Sequence, residues 1–275
     1  MGMHSVSAPT ARGTARRASD SRVAHFLARA GLTARGVIYT LVGWVAVLVA
    51  LGHSSREADQ QGALQLLAGK SYGVVTLWLL GIGFAAYALW RLSEAAFGVT
   101  GDRPGAGPRL KSLARAVIYA GLSYLTFTVI SGQARSQAGQ QEDITATAMH
   151  HTLGRVLVGV VGLVIVVCGI VLIAEGACKK FMKYLNTFQM SARIHRVVKW
   201  LGVTGTIARG MVFALAGVGV IDAAVTHKAS ESGGIDKALL TLRDWPLGEF
   251  LMMLAALGLV VFGVYGLCEA RWRRV

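Results

Sequence analysis

The sequence has little charge and few cysteines for its length. Only 15% of its 275 residues are Asp, Glu, Lys or Arg, and 54% are hydrophobic, whereas soluble domains carry about 25% charged residues. The missing charge leaves long apolar runs, which exclude a soluble enzyme, a disordered chain and a coiled coil. The odd set of three cysteines, Cys168, Cys178 and Cys268, offers no disulfide framework and excludes a disulfide-rich secreted domain.

Six uncharged apolar runs are long enough to cross a bilayer as helices. They cover about residues 36–52, 73–90, 116–132, 156–174, 210–226 and 250–268. Because charged residues separate each run from the next, the sequence predicts an all-α polytopic membrane protein with six transmembrane helices.

The basic residues are distributed asymmetrically between these runs. Of the 28 Lys and Arg residues, 21 precede the first run, follow the sixth, or lie between runs two and three and between runs four and five. Lys and Arg are retained on the cytoplasmic side, so we predict a bacterial inner-membrane protein with both termini in the cytoplasm. The formal net charge of +14 then indicates the lipid bilayer, with its anionic lipids on the cytoplasmic side, as a partner rather than nucleic acid.

The chain aligns with itself three times. Ala34-Arg35-Gly36 followed by Tyr39 recurs as Ala114-Arg115-Ala116 with Tyr119 and as Ala208-Arg209-Gly210 with Phe213, and the second helix of each copy ends at Glu94, Glu175 and Glu269. Each copy is one helical hairpin that crosses the membrane twice, so all three have the same orientation. We therefore expect three parallel helical-hairpin repeats packed with pseudo-threefold symmetry.

These repeated motifs resemble the bacterial membrane family called domain of unknown function 1206, which is common in actinobacteria. The resemblance covers about residues 27–273 and implies a six-helix fold and a membrane location. It implies no activity, so no catalytic residue and no cofactor can be carried over. The middle repeat departs most, with Ala116 in place of glycine and a polar loop at 140–143.

The repeats divide the chain into five segments. They are a disordered basic cytoplasmic tail at 1–26, hairpin repeats at 27–98, 108–178 and 200–273, and a basic connector at 179–199. The connector mixes basic and aromatic residues, so we expect it at the lipid interface. It is a candidate for contact with anionic lipids or with a membrane-protein partner, and a plain link between helices is the alternative.

Small residues recur on the first helix of each repeat with a spacing of seven, which places them on one face. They are Gly36 and Gly43, Ala116 and Ser123, and Gly210 and Gly217. We expect them to let helices approach closely, as small residues do in membrane bundles; a hinge or a pore lining is the alternative.

Each repeat also carries an arginine where its first run begins and a glutamate where its second run ends. They are Arg35, Arg115 and Arg209, and Glu94, Glu175 and Glu269. We predict that all six lie near helix termini, each with the sign that the helix dipole disfavours, and that they form a structural girdle of partly buried ion pairs. A charged ring that controls passage and simple solvated end residues are the alternatives.

Two further sets of polar residues lie near the predicted outer side. Asp222 is an acid inside an apolar run, where Leu48 and Thr128 occupy the equivalent positions; it is a candidate for proton or cation coupling, and snorkelling to the interface is the alternative. The histidines His53, His150, His151 and His227 lack metal-ligand spacing. We interpret them as polar caps and predict no metal site.

The sequence shows no arrangement of nucleophile, base and acid that is typical of an enzyme, so we predict none. We interpret the chain as a non-enzymatic scaffold or modulator of a membrane partner, because the apolar runs contain few polar groups that could bind a solute. The alternative is a small permease or channel with a path along the pseudo-threefold axis. Polar residues that converge on an axial cavity would favour the alternative.

Overall fold

The structure, a computed structural model, describes residues 22–54, 56–97, 106–133, 136–149, 152–243 and 246–273. These ranges are helical and contain no β-strand. The α-helices are α1 (Arg22–Ala50), α2 (Gln60–Ala68), α3 (Gly73–Phe97), α4 (Ala106–Ile130), α5 (Gln137–Met149), α6 (Thr152–Ala177), α7 (Ala192–Thr226), α8 (Gly234–Arg243) and α9 (Gly248–Trp272).

Six of these helices are long and apolar enough to cross a membrane, which confirms the predicted number of spans. They are α1, α3, α4, α6, α7 and α9. Several extend well beyond the apolar runs, and α7 has 35 residues. The apolar run marks the part of a helix that suits lipid, whereas the helix itself continues for as long as its backbone hydrogen bonds do.

Each repeat consists of two long helices joined through a short one. We call the end of the bundle that holds the short helices α2, α5 and α8 the loop end, and the opposite end the arginine end. In the first two repeats the first long helix stops at a left-handed glycine, Gly52 (φ 71°) and Gly132 (φ 73°). The next amide N–H reaches back to the last turn, from His53 to the Leu48 carbonyl oxygen at 2.8 Å and from Gln133 to that of Thr128 at 3.0 Å, so glycine acts there as the stop signal.

The closest helix contacts join neighbouring repeats rather than the two long helices of one hairpin. Helix α3 packs on α4, α6 packs on α7, and α9 packs on α1. The second long helix of each repeat therefore lies against the first long helix of the next, which gives three equivalent interfaces in a cyclic order.

The ring has one weak point. Within a hairpin, α1 packs on α3 and α7 packs on α9, but α4 and α6 of the middle repeat barely touch in the part of the chain that the structure describes. The bundle is therefore an open ring with a gap between α4 and α6.

Glycines lie at equivalent points of two of the three interfaces. A β-carbon on Gly36 would lie 2.9 Å from the Gly263 carbonyl oxygen, and one on Gly210 would lie 2.8 Å from that of Gly169. Such a close approach leaves no room for a side chain, as in other membrane helix pairs. In the interface between α3 and α4 the corresponding position is Ala116, which is buried.

The second small residue of each pair, seven residues closer to the loop end, also lies at a close contact between helices. A β-carbon on Gly43 would lie 2.8 Å from the Ala256 carbonyl oxygen, and one on Gly217 would lie 2.9 Å from that of Gly162. In the interface between α3 and α4 the Ser123 hydroxyl donates a hydrogen bond to the Gly81 carbonyl oxygen at 2.9 Å. A side-chain hydrogen bond thus occupies the position at which the other two interfaces have a close approach of glycine to backbone.

The connector at 179–199 is folded onto the arginine end rather than being a free link. It forms two 3-10 turns, Lys180–Tyr184 and Thr187–Gln189, before α7 begins at Ala192. Leu185 is completely buried, and the Asn186 amide N–H donates to the Trp272 carbonyl oxygen at 2.8 Å. The connector therefore closes over the end of α9, while Phe188 stays 92% exposed.

Candidate functional site

The three repeated arginines lie inside helices, not at their termini. Arg35 is 13 residues from the start of α1, Arg115 is 9 from the start of α4, and Arg209 is 17 from the start of α7. The dipole effect fades within the first turn of a helix, so the prediction that the dipole disfavours these arginines is corrected. The glutamates do lie in the last turns of their helices, which end at Phe97, Ala177 and Trp272.

One arginine and one glutamate of the predicted girdle are in contact. Arg35 of α1 forms an ion pair with Glu269 of α9, and Arg273 forms a second ion pair with the same carboxylate. The side chains of Arg35 and Glu269 are 12% and 8% exposed. The contact crosses from the first repeat to the third, because α1 and α9 form one of the three equivalent interfaces.

Glu94 has a different partner from the one that symmetry predicts. Its carboxylate accepts a hydrogen bond from Arg91 Nη1 at 2.6 Å and one from the Ser112 hydroxyl at 3.1 Å. Arg91 also donates to the Tyr87 hydroxyl at 2.6 Å. Arg91 lies one turn before Glu94 and neutralises it within α3, so a residue outside the predicted girdle pairs with this glutamate.

Two arginines of the repeat are left without a carboxylate partner among the described residues. Arg209 instead lies between aromatic rings, with its Cζ 5.0 Å from the centre of the Tyr39 ring and 4.8 Å from that of Phe262, at distances typical of cation–π contacts. Arg115 is within electrostatic range of Arg91, Arg273 and Arg35. The predicted girdle thus contains unneutralised positive charge.

These arginines meet at a cavity of about 1290 Å³ between α4 and α6. All three repeated arginines line it, together with the three aromatic residues that follow them in the repeat and with Glu175. The further polar lining residues are Gln60, Tyr87, Lys111, Tyr124, Thr128, Gln133, Gln137 and Gln140. The sequence motif of arginine and aromatic residue therefore builds one site from three copies.

The cavity is long and has an apolar middle. Along α4 its lining runs from Lys111 to Thr128, about 25 Å at 1.5 Å per residue, compared with about 30 Å for the hydrocarbon core of a bilayer. Positive charge is concentrated at the arginine end and uncharged amides lie at the loop end. The apolar lining between them consists of Ile118, Leu122, Leu125, Val167, Val171 and Leu172.

Other predicted site residues lie elsewhere. Asp222 is exposed near the end of α7 and does not line the cavity. His53 follows α1, and His227 caps α7 with a left-handed backbone (φ 63°); His150 and His151 lie outside the described residues. In the ranges that the structure describes, no three His, Cys, Asp or Glu side chains come together as metal ligands.

Acidic side chains join the short helices at the loop end. Asp59 caps α2 and accepts a hydrogen bond from the Gly62 amide at 2.9 Å, and Asp236 accepts one from the Ala58 amide at 2.7 Å. The pKa of Asp59 is raised to about 7, chiefly by burial and partly by the charges of Glu57 and Asp236, against the Gly62 hydrogen bond. Burial also raises the pKa of Asp236.

Sequence reasoning missed Arg91 and the role of the aromatic residues. A signal for Arg91 was present, because the equivalent positions in the other repeats hold Leu172 and Gly266. A charge at a position where the other repeats have uncharged residues indicates a local partner. Tyr39, Tyr119 and Phe213 were recognised as part of the motif, but only the fold shows that they line a common cavity.

Comparison with known proteins agrees with the repeat architecture. The family described as Domain of Unknown Function (DUF1206) matches the chain three times, at residues 30–98, 110–179 and 204–273. The chain is also similar to a Bacillus subtilis (strain 168) protein called uncharacterized protein YxxB, with 29% identity over 250 residues, which is 90% of each chain. No solved structure matches. The family matches cover most of the chain at the three predicted repeats, and the protein therefore belongs to the DUF1206 family.

Proposed function

We propose that this protein is a small permease that binds an anionic ligand in the cavity between α4 and α6. The single observation that carries the proposal is the position of Arg115 and Arg209. Both lie in membrane-spanning helices, both line the cavity, and neither has a carboxylate partner in the described part of the chain. An unpaired charge within a membrane is costly, and it marks a functional site by default.

The chemistry of the arginines favours an anion. Each guanidinium offers five N–H donors and no acceptor, and among the described residues only Arg35 of the three forms an ion pair. The Nε atom of Arg209 is buried and has no hydrogen-bond partner in the described residues. A carboxylate or phosphate oxygen would supply acceptors and neutralise the charge.

The extent of the cavity supports a path rather than a closed pocket. Its lining follows α4 across most of the thickness of a bilayer and has polar groups at both ends, arginines at one and uncharged amides at the other. The cavity is lined by equivalent residues of all three repeats, and its open side lies between α4 and α6. We place the arginine end in the cytoplasm on the basis of the basic residues.

The test is anion movement into liposomes made of phosphatidylcholine. Two probes are used: radiolabelled inorganic phosphate, and a fluorescent phosphatidylglycerol whose transfer between leaflets is measured by dithionite quenching. We expect at least one probe to cross faster than in protein-free liposomes, and we expect Arg209→Gln to slow it about ten-fold, because a charged hydrogen bond is lost.

The matched control is Arg196→Gln, which removes the same charge from an exposed position on the same helix, outside the cavity. It should transport like the wild type. Arg209→Gln must elute as a folded species from size-exclusion chromatography. If neither probe crosses faster than in protein-free liposomes, or if both variants transport equally, the permease proposal is rejected.

A scaffold role is the second candidate, and one observation favours it. Helix α6 is the most apolar and the least buried of the six spans, so it offers the largest free face for a partner helix. Cross-linking in native membranes through a photoreactive residue at Leu163, which is exposed, would identify such a partner. Cross-links to lipid alone would argue against the scaffold.

A further inference from the structure

We infer that the ligand of this cavity is a membrane phospholipid with an anionic phosphate headgroup, which reaches the site sideways through the gap between α4 and α6. This inference rests on the proposed anion-binding function and names its ligand class. The headgroup binds at Arg115 and Arg209, and an acyl chain lies along the apolar middle of the cavity.

The gap supplies the lateral route. The hairpins α1/α3 and α7/α9 are closed by helix contacts, whereas α4 and α6 are separated along the cavity. Gly121 of α4 lines the cavity, and a β-carbon placed on it would meet no atom within 4 Å. Because both helices cross the membrane, this opening faces lipid rather than water.

The arginine end of the cavity suits a phosphate headgroup. Arg115 is exposed and lines the cavity, and the ion-paired Arg91, Arg273 and Arg35 are within electrostatic range of it. Lys111 lies one turn closer to the arginine end of α4 and lines the same cavity. Several basic groups therefore lie at one end of the cavity, and guanidinium groups bind phosphate through paired hydrogen bonds.

The remaining lining suits an acyl chain. From Arg115 to Thr128 the cavity follows α4 for about 20 Å, which exceeds the ~15 Å of one leaflet. Over this length the side chains that line the cavity from α6 are Val167, Cys168, Val171 and Leu172, which are apolar or weakly polar. A soluble anion would gain nothing from contact with this apolar surface, whereas a lipid buries its acyl chain against it.

The test measures lipid binding by native mass spectrometry of the full chain, delipidated in detergent. The probes are phosphatidylglycerol and phosphatidylcholine with identical acyl chains, and inorganic phosphate. We expect phosphatidylglycerol to bind at least ten-fold more tightly than phosphatidylcholine. We expect Arg115→Gln to remove most of this preference, while Arg109→Gln, an exposed position on the same helix outside the cavity, retains it.

A second variant tests the route without changing charge. Gly121→Leu places a side chain in the open space of the gap and should weaken phosphatidylglycerol binding several-fold. Gly107→Leu, on the same helix and also with open space around it but outside the cavity, should bind lipid as the wild type does. If Arg115→Gln fails to fold, the comparison of Gly121→Leu with Gly107→Leu tests the lipid inference in its place.

The outcomes separate the two proposals. Equal binding of both lipids, or equal losses in the cavity variants and their controls, overturns the lipid inference. If inorganic phosphate binds or crosses in an Arg209-dependent way while phosphatidylglycerol does not, the permease proposal stands and the lipid inference is rejected. If no anion binds or crosses, both are rejected.

Discussion

Arg35 and Glu269 are 234 residues apart in the chain and form a largely buried ion pair that joins the first repeat to the third. The same carboxylate also binds Arg273. Glu269→Gln leaves two largely buried cations without a counter-charge, and the loss of one partner of a buried pair costs about 3–5 kcal/mol. We expect a clear decrease in the thermal unfolding temperature in detergent.

The matched control is Glu175→Gln. Glu175 is the equivalent glutamate of the middle repeat, but no ion pair to it is found among the described residues. We expect its substitution to leave the unfolding temperature nearly unchanged. Equal decreases for both variants would show that Glu175 and Glu269 contribute alike, as a symmetric girdle requires.

The glycine contacts predict which glycines tolerate a methyl group. Gly210→Ala places a β-carbon 2.8 Å from the Gly169 carbonyl oxygen, and overpacking of this kind typically costs about 1–3 kcal/mol. Gly121→Ala meets no atom within 4 Å and removes a helix-breaking residue, which favours the helix by up to about 1 kcal/mol. Thermal unfolding of the two variants should therefore shift in opposite directions. A stabilised Gly210→Ala protein would contradict the close approach of α6 and α7.

The buried Asp59 predicts a stability that depends on pH. Its pKa is raised from 3.8 to about 7 in the folded protein, so the folded state binds this proton more tightly than the unfolded state. The resulting stabilisation is fully present below about pH 4 and is lost as the pH rises through 7. We expect the unfolding temperature to decrease between pH 5 and pH 8.

Asp59→Asn tests this assignment, because asparagine can still cap α2 but does not ionise. The variant should be more stable than the wild type at pH 8 and should show a flatter profile between pH 5 and pH 8. Asp143→Asn, at an exposed position of α5, should retain the wild-type profile. An unchanged slope in Asp59→Asn would assign the pH dependence to another group, with Asp236 the next to test.

The folded connector predicts a contrast between two of its apolar residues. Leu185 is completely buried against the end of α9 and Phe188 is 92% exposed. Leu185→Ala should cost about 2–5 kcal/mol of stability, and Phe188→Ala should cost little. Proteolysis in detergent provides a second measurement, because Leu185→Ala should expose 179–191 to cleavage. Equal behaviour of the two variants would mean that the connector does not pack on α9.

The contacts between side chains were harder to predict than the helices themselves. The small residues could be found from their spacing of seven, which fixes a common face without a structure. The pairing of the charges could not, because Arg115 and Arg209 carry the same motif as Arg35 and yet have no carboxylate partner in the described ranges. Arg91 takes Glu94 locally, and no repeat pattern predicts that competition.

The sequence by itself determined the six spans and the three repeats, because apolar length and self-similarity are properties of the chain alone and do not depend on which helices touch. The tertiary structure decided that α3, α6 and α9 pack on the first helix of the next repeat, and that the middle hairpin stays open. Three copies of one motif present nearly the same surfaces, so helix packing selects among contacts of similar energy. Because of this packing, the repeated arginines line a cavity, although their position in the sequence predicts that they lie at the rim of the bundle.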